Sequence, residues 1–580
     1  MEAQYPYQDA GLSVHQRVED LLSRMPLADK VGLMFHTIAV PADVDAVVPL
    51  FGERSLRSLV DKGLRHFNVL GSLPDGRSFA QWHNSVQSAA LRHPLGIPVT
   101  FSSDPRHHFG DNPLTQMMAG PFSLWPEPLG LAAIGSADRV REFADIVRQE
   151  YLAVGIRVAL HPQLDVATEP RWSRINTTFG EDADLTSRLG VAYVAGLQGP
   201  RLGCDSVAAM VKHFPGGGPQ LDGNDPHFGW GREQVYPGDN AAYHLAPFRA
   251  ALDAGAVEVM PYYGMPVGTD WDEVGFGFNK SVITGLLRDE LGFDGIVCTD
   301  WGLVSDHPDL GDLGVARAWG VEHLGPADRA LRVIEAGADQ FGGEDCTEVL
   351  LGLVRDGRVS ESRIDESVRR LLRVTFTLGL FEHPFVDEEA ASITLGRSDF
   401  RDAGLAAQRD SLTLLTNTGL LPLARGAKVF APQISAAALE GHATRVDDPA
   451  AADVAVLRIK APYEPRTEGM AALFHHGSLE FAAEEVRRIL EVCAAVPTVI
   501  DVYLDRPAVL TPLAGAAAAL IANFGVSERA LIAVLFGAAE PRGTLPFDLP
   551  RSDAAVAASR TDVAFDTADP LFRFGHGLRY

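Results

Sequence analysis

Short apolar, β-branched runs alternate with amphipathic helical patterns through the first part of this 580-residue chain. "ADRVREFADIVRQEYLAVG" and "SVITGLLRDELG" are two of the helical patterns that separate such runs. This alternation is typical of βα units, which assemble into a parallel sheet. The first domain is therefore predicted to be a (β/α)8 TIM-like barrel.

The predicted strands end in polar side chains. "IRVALHPQLDV" leads to Arg171 and Arg174, and the other endings are Asp104 after "IPVTFSS", Lys212 and His213 in "SVAAMVKH", Tyr263 in "VEVMPYY" and Asp300 in "FDGIVCTDW". A (β/α)8 barrel gathers the carboxyl ends of all its strands at one face, and that face carries the active site. We therefore expect these endings to converge.

A glycine-rich stretch, "VKHFPGGGPQLDGNDPHFGWGREQVYPG", begins at Val211. A phosphate-binding loop has its glycines before the lysine and a helix after it. Here Lys212 comes first, and Pro215, Pro219 and Pro226 break any helix. A phosphate-binding role is therefore not indicated.

We place the barrel domain at residues 1–382, where "SESRIDESVRRLLRVTFTLGLFEHP" predicts a closing helix, and a linker at 383–405. A second α/β domain is predicted at 406–580. Its expected strands form a smaller parallel sheet: "SLTLLTN", "AKVFAP", "VAVLRIKAP", "TVIDVYL" and "ALIANFG".

The formal net charge of −26 disfavours nucleic acids and anionic membrane surfaces as partners and suits a neutral substrate. The four cysteines show no CxxC spacing, so no zinc ribbon or disulfide framework is indicated. No apolar run reaches the roughly 18 residues of a membrane span. The N-terminus lacks the pattern of a signal peptide, which predicts a cytoplasmic protein, or a secreted one if a leader was removed.

Several of these segments together resemble glycoside hydrolase family 3, the β-glucosidase and β-xylosidase family that has a barrel followed by an α/β sandwich. The similar segments, in chain order, are "RVEDLLSRMPLADKVGLM", "EPRWSRINTTFGED", "KHFPGGG", "ELGFDGIVCTDWG", "RDSLTLLTNTGLLPL", "VLFGAAEPRGTLPFDLP" and "LFRFGHGLRY". The resemblance covers nearly the whole chain.

The resemblance implies that Asp300 is the catalytic nucleophile and that Trp301 forms an aromatic wall. It implies that five residues hold the sugar beside the scissile bond: Asp104, Arg174, Lys212, His213 and Tyr263. Lys212 and His213 would donate hydrogen bonds to sugar hydroxyls, while the glycines let the backbone turn beside the ring. No metal or organic cofactor is expected.

Five of these assignments have a purely structural alternative. Asp300 could cap a helix after its strand. Arg174 and Lys212 could be surface ion-pair residues, and Tyr263 and Trp301 could be core aromatics.

The sequence leaves the identity of the general acid open. A glycosidic bond needs an acid for the leaving oxygen as well as a carboxylate at the anomeric carbon. In "LRIKAPYEPRTEG" we prefer Glu464, with Glu468 as an alternative, although Glu464 could be an exposed residue paired with Arg466. The β-N-acetylglucosaminidase branch instead uses an Asp-x-His pair, which Asp225-Pro-His227 imitates over a longer loop. His227 could also be an ordinary loop or pocket histidine.

The resulting expectation is a retaining, exo-acting β-glycosidase that acts on a carbohydrate or glycoside, with β-D-glucosides preferred. The alternatives are a β-N-acetylglucosaminidase with an Asp-His dyad, a β-xylosidase, and a catalytically silent carbohydrate-binding homologue. The aglycone and the linkage stay open, and a homodimer is one expected oligomeric state.

Overall fold

The computed structural model describes residues 5–49, 53–110, 112–308, 311, 314–467 and 469–580. Its first domain contains eight parallel strands: β1 Phe35–Ala39, β2 His66–Val69, β3 Thr100–Ser103, β4 Ile156–Ala159, β5 Ala208–Phe214, β6 Glu258–Pro261, β7 Ile296–Val297 and β8 Phe341–Gly342. Their order in the sheet is β7-β6-β5-β4-β3-β2-β1-β8. A parallel bridge between Cys298 and Gln340 joins the two edges, so the sheet closes. The predicted TIM-like barrel is confirmed.

Helices cover the outside of the barrel. They are Val14–Arg24, Leu27–Leu33, Leu56–Asp61, Gly76–Ala90, Pro128–Ile134, Ala137–Val154, Ala183–Gln198, Ala241–Asp253, Ser281–Glu290, Pro326–Ala336, Thr347–Arg355 and Glu361–Thr377. Local sequence defines the ends of these helices, as the helix Ala137–Val154 shows. At its start the Ser136 side chain accepts a hydrogen bond from the backbone N–H of Arg139, and at its end Gly155 has a φ of +83°. None of the described helices is long and apolar enough to cross a membrane.

The second domain contains a six-stranded sheet with strands β9 Thr413–Asn417, β10 Lys428–Phe430, β11 Thr444–Val446, β12 Val454–Lys460, β13 Thr498–Tyr503 and β14 Ala519–Asn523. The order is β9-β14-β13-β12-β10-β11. The prediction of a parallel sheet was wrong for β9, which runs antiparallel to β14, and β11 was missed. β11 is largely exposed and carries no apolar run that would signal a strand.

Helices also cover this second sheet, at Ser398–Ser411, Ala436–Leu439, Ala483–Ala495, Thr511–Ala514, Glu528–Leu535 and Asp553–Ala557. Two short strand pairs lie outside both sheets: Val48–Pro49 with Glu53–Arg54, and Glu233–Val235 with Met265–Val267.

The segment predicted as a linker, 383–405, is largely folded. It contains the helix Glu388–Thr394 and the start of Ser398–Ser411. The Asn84 amide donates to Val386 O (2.9 Å) and accepts from Val386 N (3.0 Å), which ties the segment to the barrel. The two domains share one hydrophobic cluster, and Glu127 N donates to Phe524 O across their interface (2.8 Å).

Candidate active site

A cavity of about 140 Å³ opens at the carboxyl ends of the barrel strands. It brings together eight of the residues named from the sequence: Asp104, Arg174, Lys212, His213, His227, Tyr263, Asp300 and Trp301. They come from separate strands and loops, and the convergence follows from the parallel arrangement. Arg171 does not line this cavity and pairs with Glu169 (2.7 Å).

Asp300 lies three residues beyond the end of β7 and is buried. Its Oδ1 accepts the backbone N–H of Trp301 at 2.8 Å. Its Oδ2 has no hydrogen-bond partner within the described ranges and lies 3.9 Å from His213 Nε2. One carboxylate oxygen is therefore held by the backbone while the other is free to act as a nucleophile.

Asp104 and Lys212 form a charged pair in the cavity. Lys212 Nζ lies 2.7 Å from Asp104 Oδ1, and Asn68 Nδ2 donates to Asp104 Oδ2 at 3.1 Å. The Lys212 side chain is buried, so removing either charge would leave the other without its partner in a poorly solvated place. The pair presents both a donor and an acceptor to a ligand.

Asp165 orients His213. His213 Nδ1 lies 2.8 Å from Asp165 Oδ2. Burial raises the pKa of Asp165 to about 6, and burial holds the pKa of His213 well below its ordinary value. A neutral His213 that donates Nδ1–H to Asp165 presents Nε2 as an acceptor. In this tautomer Nε2 would accept from a sugar hydroxyl, and the donation expected from the sequence stays a prediction.

Arg174 is buried, and its Nη2 donates to Gln163 Oε1 at 3.0 Å, while its Nε has no partner in the described part of the chain. Both Arg174 and Lys212 are therefore interior groups that line the cavity. The alternative that they are surface ion-pair residues was wrong, because the barrel mouth encloses both.

Two aromatic residues form walls of the cavity. The Trp301 ring packs on the backbone of Gly343, where a Cβ would lie 2.8 Å from the indole and where φ is +70°. Tyr263 Oη donates to Trp301 O (2.8 Å) and accepts from Trp301 N (2.9 Å), so it positions the residue that follows Asp300. Burial raises the pKa of Tyr263 well above its ordinary value, and the hydroxyl stays protonated.

The candidates for the acid differ in position. His227 lines the cavity and its Nδ1 lies 2.6 Å from Asp225 Oδ1. Burial favours a raised pKa for Asp225, but the nearby His227 lowers it below the ordinary value, so Asp225 is ionised. Glu464 is exposed and is not part of the cavity lining, while Glu468 lies outside the described residues. The Asp-His pair that was the alternative to Glu464 is thus formed, and its histidine lines the same cavity as Asp300.

Three supporting residues were missed from the sequence: Asn68, Gln163 and Asp165. Each bonds a residue that lines the cavity, and Asn68 and Asp165 hold Asp104 and His213, respectively. Asp165 and Gln163 lie in "LHPQLDV", directly after β4, and that position at the active face is the signal that could have found them.

The described residues contain no group of three or more His, Cys, Asp or Glu side chains that could hold a metal ion. All four cysteines are free thiols.

A closed barrel that holds a buried carboxylate with one unbonded oxygen among polar and aromatic groups, and that is followed by an α/β domain, fits a two-domain glycoside hydrolase. Residues 63–374 match the model of the glycosyl hydrolase family 3 N-terminal domain, and 432–580 match that of its C-terminal domain. The chain belongs to glycoside hydrolase family 3 and is a glycoside hydrolase.

Among its relatives, β-glucosidase C of Emericella nidulans is 49% identical over 99% of this chain and 94% of that protein. A periplasmic β-glucosidase/β-xylosidase of Dickeya chrysanthemi is 40% identical over 99% of this chain and 91% of that protein. The crystal structure of a β-glucosidase from Erythrobacter marinus has the same fold, with a TM-score of 0.82 and 23% identity over 100% of this chain and 84% of that one.

Proposed function

We propose that this enzyme is a retaining, exo-acting β-glucosidase that removes one terminal β-linked glucose from a glycoside. The observation that carries the proposal is Asp300, whose free Oδ2 enters a small cavity with Asp104, Lys212 and His213 around it. The small volume favours a single sugar unit. The relatives named β-glucosidases support glucose as that unit.

In the first step Asp300 Oδ2 attacks the anomeric carbon, and the glycosidic bond breaks as the leaving oxygen takes a proton. In the second step a water, deprotonated by the same acid/base group, releases the sugar with its original β configuration. The Asp104–Lys212 pair and Arg174 bind hydroxyls, and Trp301 packs against the ring.

We propose His227 as the acid/base group, in place of the Glu464 favoured by the sequence comparison. Its Nδ1 is held by Asp225, which leaves Nε2 as the nitrogen that exchanges a proton within the cavity. An ionised Asp225 also stabilises the imidazolium that must donate. Glu464 is the second candidate, because its loop packs against the His227 loop through Phe474, 5.0 Å between ring centroids.

A 2-deoxy-2-fluoro-β-glucoside with a good leaving group tests the nucleophile, because it should trap a covalent adduct on Asp300. Peptide mass spectrometry locates the adduct. Asp300→Asn should keep the fold and abolish both turnover and labelling, whereas Asp270→Asn, an exposed aspartate nearby in the sequence, should keep both. A label on a peptide that lacks Asp300 would contradict the assignment.

The sugar preference is tested with nitrophenyl β-glucoside, β-xyloside and β-N-acetylglucosaminide in parallel. We expect the highest kcat/KM for the glucoside. A preference for the N-acetylglucosaminide would favour the alternative branch, and no hydrolysis of any of them would favour a silent homologue. Three further expectations stay predictions. Gel filtration tests the homodimer, cell fractionation tests the cytoplasmic location, and limited proteolysis tests the domain boundaries at 382 and 405.

A further inference from the structure

A second cavity, of about 430 Å³, lies where the barrel meets the second domain. On the second-domain side, residues at the carboxyl ends of the parallel strands β10, β12, β13 and β14 line this cavity. They include Gln433, Arg458, Lys460, Tyr503, Asp505, Asn523 and Gly525. In this sheet β11 lies on one side of β10 and β12 lies on the other, so the order in which strands are added to the sheet reverses at β10. In open α/β sheets, ligands bind outside the carboxyl ends of the strands at such a switch point.

The barrel supplies the other wall through Phe109, Gly110 and two segments, 112–116 and 173–176. Each segment lines both cavities: Pro113, Leu114 and Arg174 line the catalytic cavity, and Asn112, Thr115, Gln116, Ser173 and Asn176 line the second one. Ser173 Oγ also donates to Asp225 Oδ2 at 3.2 Å. The two cavities are therefore back to back, separated by a single layer of chain.

Gln116 is the clearest sign that the second cavity accepts a ligand. Its side chain is 1% exposed and lines the cavity. Neither Oε1 nor Nε2 has a hydrogen-bond partner among the described residues. A buried amide without partners is costly, and natural structures rarely keep one without a use. A ligand that both donates and accepts would satisfy it.

The charges around the cavity largely cancel. Arg458 Nε donates to Asp501 Oδ2 at 2.7 Å, and His475 bonds Asp505. The other polar side chains of the lining are mostly amides and hydroxyls, with the Lys460 ammonium at the end of β12. Such groups match a neutral molecule rich in hydroxyls, because each hydroxyl both donates and accepts.

We propose that this cavity is a second saccharide-binding site, separate from the catalytic cavity, that takes a neutral sugar. Only the choice of glucose as the probe rests on the proposed function. The site adjoins the segments that carry Arg174 and Leu114, so a bound sugar would contact the backs of catalytic-cavity walls.

Equilibrium dialysis with radiolabelled glucose tests the proposal. We expect two glucose molecules per wild-type chain at saturation. Gln116→Leu, and independently Asn176→Ala, should each lose one equivalent and still hydrolyse nitrophenyl β-glucoside. Lys212→Met should lose the other equivalent and its activity. Circular dichroism and melting temperature confirm that each variant is folded.

If the wild type binds only one equivalent of glucose and Lys212→Met abolishes that binding, the second site is overturned and the proposed function is left intact. Two equivalents that both persist in Gln116→Leu and Asn176→Ala would overturn the location. Inorganic phosphate bound at this site in place of glucose would overturn the sugar chemistry. If the enzyme proves inactive on glucosides, glucose retained by Lys212→Met and lost in Gln116→Leu would still support the second site.

Discussion

Removing the His227 imidazole separates the two candidates for the acid/base group. His227→Ala deletes a side chain that bonds Asp225 and lines the catalytic cavity, while Glu464→Ala deletes an exposed carboxylate outside the cavity lining. If His227 protonates the leaving oxygen, its loss should matter only where the leaving group needs a proton. The leaving group of the substrate is therefore the variable to change.

The structure sets the expected size of the effect. General acid catalysis contributes about 10²- to 10⁴-fold, or about 3–5 kcal/mol of barrier, on unactivated glucosides. In His227→Ala the buried Asp225 loses its hydrogen bond to the imidazole. It keeps the hydrogen bonds from the backbone N–H of residue 227 (2.9 Å) and from Ser173 Oγ (3.2 Å), so the variant should lose only about 1–3 kcal/mol of stability. Glu464→Ala should cost less than about 0.5 kcal/mol, because the side chain is exposed.

The assay compares kcat on cellobiose, nitrophenyl glucoside and dinitrophenyl glucoside, with and without azide. His227→Ala should lose most activity on cellobiose and much less on the dinitrophenyl glucoside, and azide should restore turnover and yield a β-glucosyl azide. His227→Gln keeps a polar group beside Asp225 and controls for misfolding. Glu464→Ala should behave like the wild type.

The reasoning is refuted if Glu464→Ala shows the leaving-group dependence and the azide rescue while His227→Ala only raises KM. Loss of uniform binding leaves kcat nearly unchanged, so His227 would then be a pocket-shaping residue.

Four further results are expected. Proton NMR of the first product should show the β anomer, and an initial α product would mean inversion. Chelators should leave the rate unchanged, and a loss restored by added metal would contradict this. Lys212→Met should lower kcat/KM about 100-fold or more, because it leaves Asp104 unpaired. Asp104→Asn should lose at least as much stability as Lys212→Met if the unpaired charge is the cause, because it leaves the more buried Lys212 ammonium without its partner. Burial raises the pKa of Glu258 to about 8, so the protonated form gives stability at low pH that is lost as pH rises toward 8. Glu258→Gln should therefore gain up to about 4 kcal/mol relative to the wild type between pH 5 and pH 8, visible as a growing difference in melting temperature that the exposed control Glu440→Gln lacks.

Much of the fold was predictable because it depends on local patterns. The alternation of apolar runs and amphipathic helices indicated the barrel, and five strands of the second sheet were recognised from their apolar, β-branched stretches. The direction of β9 was not predictable, since strand pairing is decided by partners about a hundred residues away. The folded segment around Glu388–Thr394 was also missed, because its polar helix is held by tertiary contacts with the helix Gly76–Ala90.

The sequence by itself determined which side chains reach the active face, because residues at the ends of parallel strands must converge there. It could not determine which acid candidate reaches the same place. Glu464 and His227 each lie in a loop, and loop paths depend on packing between distant segments rather than on local propensity. Only the tertiary structure placed His227 in the cavity wall and left Glu464 exposed. It also showed the back-to-back second cavity, which exists because two domains with independent sequence patterns meet across segments 112–116 and 173–176.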